Sequence, residues 1–193
     1  MTGSLSDGSP ASASTADRIM RAALELIAAR GLGGVSMSAL ATQAGVSRQT
    51  LYNHFPDVDS VVVAVVSAHN DEALAQLDRT LSLCSSAPEK VAQLVRHYAE
   101  LGAHAQHGDV QQGLSAAAQA RLVDHDRQVR HRIQQTIAEG MAAGDFRVDL
   151  DPGTDAVLIH GLLGGVQSAC ASADRVSDVV RASIRTALAA LSD

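Results

Sequence analysis

On a helical wheel at roughly 100° per residue, Gln49 and Asn53 lie opposite Leu51, and Tyr52 and Thr50 flank them. The stretch from Ser47 to Phe55 therefore has one apolar edge, Leu51 and Phe55, and one outward row of amides and a phenol. Amide side chains make bidentate contacts to adenine, and arginine does the same to guanine. Hydroxyls and helix N-terminal amides hold phosphates. Arg48 stands in the first turn of the same segment. An outward Gln-Tyr-Asn row is unusual decoration for a purely structural helix, and its chemistry suits a nucleic-acid edge.

A second group of residues could do other chemistry. His97, Glu100, His104 and His107 fall within roughly 80° of one another on a wheel, at spacings that could hold a metal. A metal-sensing regulator is one reading of them, and a solvated face of histidines is the other. Tyr98 points to the apolar side of that helix, where a buried phenol needs a hydrogen-bond partner. Signatures of catalysis are absent: there is no Gly-x-Ser-x-Gly elbow, no phosphate-cradling glycine loop, no Cys-x-x-Cys and no His-Glu-x-x-His. The His125-Asp126 dipeptide, shared with metal-dependent phosphohydrolases, is too short to argue from. No enzyme, resident metal or cofactor is expected, and Cys84 and Cys170 read as buried thiols.

The elements that must position these side chains are helical almost throughout. Ile19, Ala23, Leu26 and Ile27 repeat at the three-and-four spacing of a helix over about 16–30, which Gly31 ends in the left-handed conformation. Ser36 offers an N-cap to a short helix over 36–44, with Met37, Leu40 and Ala41 inward and Gly45 at its C-cap. Ser47 caps the third segment, 47–55, and Pro56 stops it. A tight glycine turn between the last two gives helix-turn-helix geometry, in which the second short helix enters the major groove.

The run from Gly34 to Phe55, and above all Ala44-Gly45-Val46-Ser47 followed by Thr50-Leu51-Tyr52-x-His54-Phe55, resembles the DNA-binding signature of the TetR family of bacterial transcriptional regulators. The resemblance is strong over about 16–70 and is one of architecture only beyond that. It implies a cytoplasmic homodimer, in most members a repressor, that binds a palindromic operator until a small-molecule effector enters the C-terminal domain. Carried over by position, Ser36, Thr50, Tyr52 and His54 hold backbone phosphates, and Arg48, Gln49 and Asn53 approach bases. Ser47, at the helix cap, completes the DNA-binding set. The family commonly has a lysine at the start of its fourth helix, where this chain reads Pro56-Asp57-Val58-Asp59-Ser60. A phosphate contact is then missing at Val58, and Asp57 and Asp59 add repulsion, so the salt dependence of binding should be shallow.

Beyond Pro56, helical spacing of Val58, Val61, Val62, Val65, Val66 and His69, continued by Ala73, Leu74, Leu77 and Leu81, predicts a long helix over 58–83 despite the strand-like valine run. The Ser85-Ser86-Ala87-Pro88 break starts another, striped by Val91, Leu94, Val95, Tyr98, Leu101 and Ala105. Residues 114–143 read as one or two helices, with Leu122, Val129, Ile133, Ile137 and Met141 on one face and a mixed-charge face opposite. Leu94, Tyr98, Leu101 and Met141 are the candidate effector-binding residues, in a pocket walled by aliphatic side chains. Helices over 153–171 and 175–191 end the chain. Val157, Gly161, Gly164 and Gly165 on the first, with Val180 and Ile184 on the second, are the candidate dimer interface, packing as a four-helix bundle about a two-fold axis.

Composition bounds these readings. The chain has 193 residues, 46% hydrophobic and 19% charged, enough apolar surface for a sizeable core. A net charge of −6 excludes a general nucleic-acid coat. Between residues 17 and 55, however, four arginines face only Asp17 and Glu25. The uncharged stretch Ala156–Ala173 lacks flanking basic or aromatic belts and reads as a buried helix, not a membrane span. The first residues have neither the basic start nor the apolar run of a signal peptide. The expected fold is all-α: a tail over 1–15, an N-terminal three-helix helix-turn-helix domain over 16–56, and a C-terminal helical ligand-binding and dimerisation domain over 57–193. Partners are double-stranded DNA bearing an inverted repeat, a small-molecule effector and a second copy of the chain, with no membrane. A helical interaction protein that does not bind DNA is the remaining alternative.

Overall fold

The structure is a computed structural model that describes residues 14–104, 113–172 and 175–192. Among the described residues it has eight α-helices and no strand: α1 (Thr15–Arg30), α2 (Met37–Ala44), α3 (Arg48–His54), α4 (Val58–Ser82), α5 (Ala87–His104), α6 (Ala116–Ala143), α7 (Pro152–Cys170) and α8 (Val176–Leu191). They form two compact units. One comprises the described residues up to Val66 with Gly113–Ala118, and the other the described residues of the remainder.

The first unit is built by its caps. Ser14 and Asp17 form a reciprocal capping box that opens α1. Ser14 and Thr15 therefore belong to the helix and not to the tail; the rest of the expected tail lies outside the described residues. Ser36 accepts from the Ala39 N–H to open α2, and Ser47 accepts from the Thr50 N–H to open α3. Gly45 closes α2 at φ 63°, ψ 41°, a left-handed conformation that glycine adopts without steric cost. Gly31 departs from expectation: its φ is 70° but its ψ is 174°, so it is extended on the glycine side of the map, and a 3₁₀ turn over Leu32–Gly34 follows. Ile19, Leu26, Leu40, Leu51, Val61 and Val65 form one core.

That core explains why the first compact unit reaches Val66 and not the expected boundary at 56/57. Val61 and Val65, from the first turns of α4, are buried in the same cluster as Ile19, Leu40 and Leu51, and helical order there overrides the β-propensity of the valine run.

The second unit packs α5 against α7 and α8 around Leu94, Val95, Ile133, Ile137, Leu163 and Leu191. Two glycines permit this. A Cβ on Gly102 would lie 2.1 Å from the Gln167 carbonyl oxygen, and one on Gly140 would lie 2.2 Å from the Phe146 ring. α6 is one helix and not two. On α4 the inward residue is Asn70, not His69: Asn70 is 7% exposed and its Nδ2 donates to the Arg121 carbonyl at 3.1 Å, whereas His69 is exposed. Cys170 is buried, but Cys84 is only half-buried at the end of α4. No helix among the described residues is long and apolar enough to cross a membrane.

Candidate nucleic-acid interface

α3 has seven residues, of which only Leu51 is buried. It is anchored through that side chain and through the Ser47 cap, where Ser47 Oγ also lies 2.8 Å from Thr50 Oγ1. Arg48, Gln49, Tyr52, Asn53 and His54 are all exposed, with Tyr52 retaining 53% of its surface, and Thr50 is half-buried. The outward row is ordered by its own contacts. Gln49 Nε2 donates to Asn53 Oδ1 at 3.0 Å, one helical turn on, so the two amides act as a pair. Such a pair leaves an acceptor on Gln49 and donors on Asn53, the groups that read base edges.

Two expected residues behave differently from a simple carry-over. Arg48 folds back to donate from Nη2 to Ser38 Oγ at 3.0 Å, which ties α3 to α2. Asp57, read as a repulsive charge, is the cap of α4: its Oδ1 accepts from the Ser60 N–H at 2.8 Å. Ser36 is exposed at the N-terminus of α2, where its hydroxyl serves the cap.

Two residues outside the expected set brace the turn. Arg18 Nη2 donates to the Ala44 carbonyl at 2.7 Å and to the Gly45 carbonyl at 3.1 Å. Gln43 Nε2 donates to Glu25 Oε2 at 2.6 Å. Both cross from α1 to the end of α2, and an open groove of about 170 Å³ lies between Arg18, Arg21, Glu25 and Gln43. Spacing within a helix carries no trace of contacts made 18 or 26 residues along the chain.

In the second unit, Leu94 is fully buried and Tyr98 is 9% exposed, both in the core, while Met141 is half-buried against it. Burial, helped by Asp126, pushes the Tyr98 phenol up to about 12, so it is a hydrogen-bond donor at neutral pH. The Tyr98 ring meets His160 edge-on at 6.4 Å. Leu101 does not join them: it is 40% exposed. The buried arc of α5 is centred on Val91, Val95 and Gly102, and Leu101 lies at its edge, roughly 20° beyond the buried Leu94 at 100° per residue. Neither the groove on the first unit nor a small cleft of about 80 Å³ beside Asn70, Arg121 and His125 is lined by any of the four candidate effector residues.

The histidine stripe is reached only in part. His97 is half-buried, and desolvation lowers its pKa against the pull of Glu100. The side chains of His104 and His107 lie outside the described residues. Among those described, no group of three or more His, Cys, Asp or Glu could hold a metal. The arginines of α6 are engaged in part: Arg132 grips Asp78 through Nε at 2.5 Å and Nη2 at 2.7 Å, and Arg127 pairs with Asp124. On α7, Val157 is 57% exposed, Gly161, Gly164 and Gly165 are exposed with nothing within 4 Å of an added Cβ, and Leu158 beside them is 65% exposed. Val180 and Ile184 are half-buried. The helix read as buried on both sides is thus apolar on both sides but covered on one within a single chain.

The first unit is thus a capped helix-turn-helix whose third helix carries an outward polar row, and a larger helical unit follows it in the chain. Residues 19–65 match the family model described as bacterial regulatory proteins, tetR family, and residues 85–168 match the tetracyclin repressor-like C-terminal domain. The chain belongs to the TetR family of transcriptional regulators. It is 34% identical to an HTH-type transcriptional regulator of Mycobacterium tuberculosis over 65 residues, a match spanning only about a third of either protein (34% of each). It is 29% identical over 145 residues to the HTH-type transcriptional repressor KstR2 of Mycolicibacterium smegmatis, covering 72% of this chain and 71% of that one. In fold it is similar to the transcriptional regulator FadR from Bacillus subtilis, solved in complex with stearoyl-CoA, with a TM-score of 0.67, 21% identity, and 89% and 95% of the two chains covered.

Proposed function

We propose that this regulator is a cytoplasmic repressor that binds an inverted-repeat operator as a homodimer and leaves it when a small amphipathic molecule occupies the second unit. The observation that carries the DNA reading is the exposed, mutually bonded Gln49–Asn53 pair with Tyr52 beside it, standing on a helix held by Leu51 and the Ser47 cap. In this reading Gln49 and Asn53 meet base edges, and Tyr52, Thr50, His54 and Ser36 meet phosphates. Arg48 contacts the backbone from its anchored position on Ser38.

Dimerisation through α7 and α8 is supported by the exposed Val157 and Leu158 beside three open glycines, an apolar strip that a second copy would cover. The effector reading rests on Leu94, Tyr98 and Met141, an aliphatic wall with one buried hydroxyl donor. The stearoyl-CoA bound by the FadR relative has the apolar-tailed chemistry such a wall suits. Leu101 takes no part in this wall.

Selection of bound sites from random duplex DNA tests the reading. An inverted repeat with half-sites about one helical turn apart, released by a long-chain acyl-CoA or another amphipathic compound, is the expected result. Absence of any sequence preference in the wild-type chain would overturn it.

A further inference from the structure

We propose that Arg18 is a positioning residue for DNA reading: it fixes the angle of α3 by holding the last peptide carbonyls of the turn before it, without itself touching DNA. The inference rests on the assignment of α3 as the reading helix.

The turn between α2 and α3 has a limited supply of donors. Gly45 and Val46 donate their N–H groups back to Ala41 and Thr42, which closes α2 in the usual left-handed manner. The carbonyls of Ala44 and Gly45 lie beyond that closure, at the negative end of the α2 dipole. Arg18 meets both from a single nitrogen, at 2.7 and 3.1 Å. A cation at this place satisfies two acceptors, complements the helix end and anchors the peptide two residues before the Ser47 cap. Glu25 and Gln43 add a second tie from α1 to α2 at 2.6 Å. The direction of α3 is thus set by α1, an element that carries no expected base contact.

This role differs from a phosphate contact in what it does to binding. A phosphate contact contributes equally on any sequence and steepens the salt dependence by about 0.9 per phosphate. A positioning residue acts on operator binding, because only there must Gln49 and Asn53 meet particular base edges.

The test compares Arg18→Ala and Arg18→Lys in the full-length chain on the selected operator and on a random duplex, across a salt series, with the folded fraction matched by circular dichroism. Arg18→Ala should weaken operator binding about tenfold while random-duplex binding and the salt slope hold. Arg18→Lys keeps three donors on one nitrogen and should recover most of the preference. Equal losses on both duplexes with a shallower slope overturn the proposal in favour of a phosphate contact, and an unchanged operator preference overturns it outright. Should Arg18→Ala fail to fold, Arg18→Lys against Arg18→Gln decides on the same ratio, with Lys retaining the preference and Gln losing it. A wild-type chain with no sequence preference overturns the reading of α3 itself, whereas a preference that survives Arg18→Ala overturns only this inference.

Discussion

Arg48 donates to the Ser38 hydroxyl at 3.0 Å, so the guanidinium of α3 is anchored on the helix before it and not within its own row of amides. α2 and α3 are thereby joined by a side-chain bond on their exposed side as well as by Leu40 and Leu51 in the core. Breaking the bond should loosen Arg48 without unfolding the unit. Ser38→Ala is expected to leave the melting temperature nearly unchanged and to weaken operator binding about two- to tenfold, the effect of one exposed hydrogen bond. Fluorescence anisotropy on the selected site measures it, and equal affinity for the two proteins would show that the anchor has no part in binding.

Leu51 and Tyr52 are neighbours with opposite duties, and substitution should separate them. Leu51 is fully buried in the first core, so Leu51→Ala leaves a cavity and should cost about 2–5 kcal/mol of stability. Tyr52 is 53% exposed, and Tyr52→Ala should change stability by no more than about 0.5 kcal/mol. Its loss should fall on DNA binding instead. Urea denaturation and operator binding, measured on both variants, check the division; a Tyr52→Ala protein that binds normally would remove the phenol from the interface.

These two residues also show what was legible in the sequence. Periodicity and caps were readable because they are local: Ser36, Ser47 and Gly45 act on groups within a few residues of themselves. The facing of Gln49, Tyr52 and Asn53 followed from the same short-range geometry. What periodicity could not carry was anything decided by a partner element. Arg18 and Asn70 each bond a carbonyl far along the chain, Leu101 is exposed although Leu94, one heptad before it, is buried, and Asp57 caps α4 as well as carrying a charge.

Glycines on α5 and α7 should respond in opposite ways. A methyl group on Gly102 would meet the backbone oxygen of Gln167, which cannot rotate away, so Gly102→Ala should destabilise the chain by about 1–3 kcal/mol. Gly164 faces open space in one protomer, and Gly164→Leu should fold without loss. If α7 forms the dimer seam, that leucine prevents close approach of the partner helix, and light scattering should find monomer at concentrations where the wild type is dimeric. An intact dimer in Gly164→Leu would place the seam elsewhere.

The histidines of the second unit predict a loss of stability on mild acidification. Burial lowers the pKa of His125 and of His160. Asp126, with Oδ1 3.9 Å from His160 Nε2, opposes the shift at both, while His69, Arg132 and the two imidazoles' mutual repulsion reinforce it at His125 and Arg130 does so at His160. His97 on α5 is shifted the same way by burial. A group whose folded-state pKa is depressed resists the proton that the unfolded chain accepts near 6.5, so the stability it carries is intact above that pH and declines as pH falls through it. Asp78 and Asp124, held below 3.8 by Arg132 and Arg127, stay ionised across this window and offset nothing. Urea midpoints should therefore be lower at pH 5.5 than at pH 7.5, a comparison bracketing the 6.5 of an ordinary imidazole. In a His125→Gln, His160→Gln protein the gap should narrow. An undiminished gap in that variant would assign the acid sensitivity to other groups, His97 first among them.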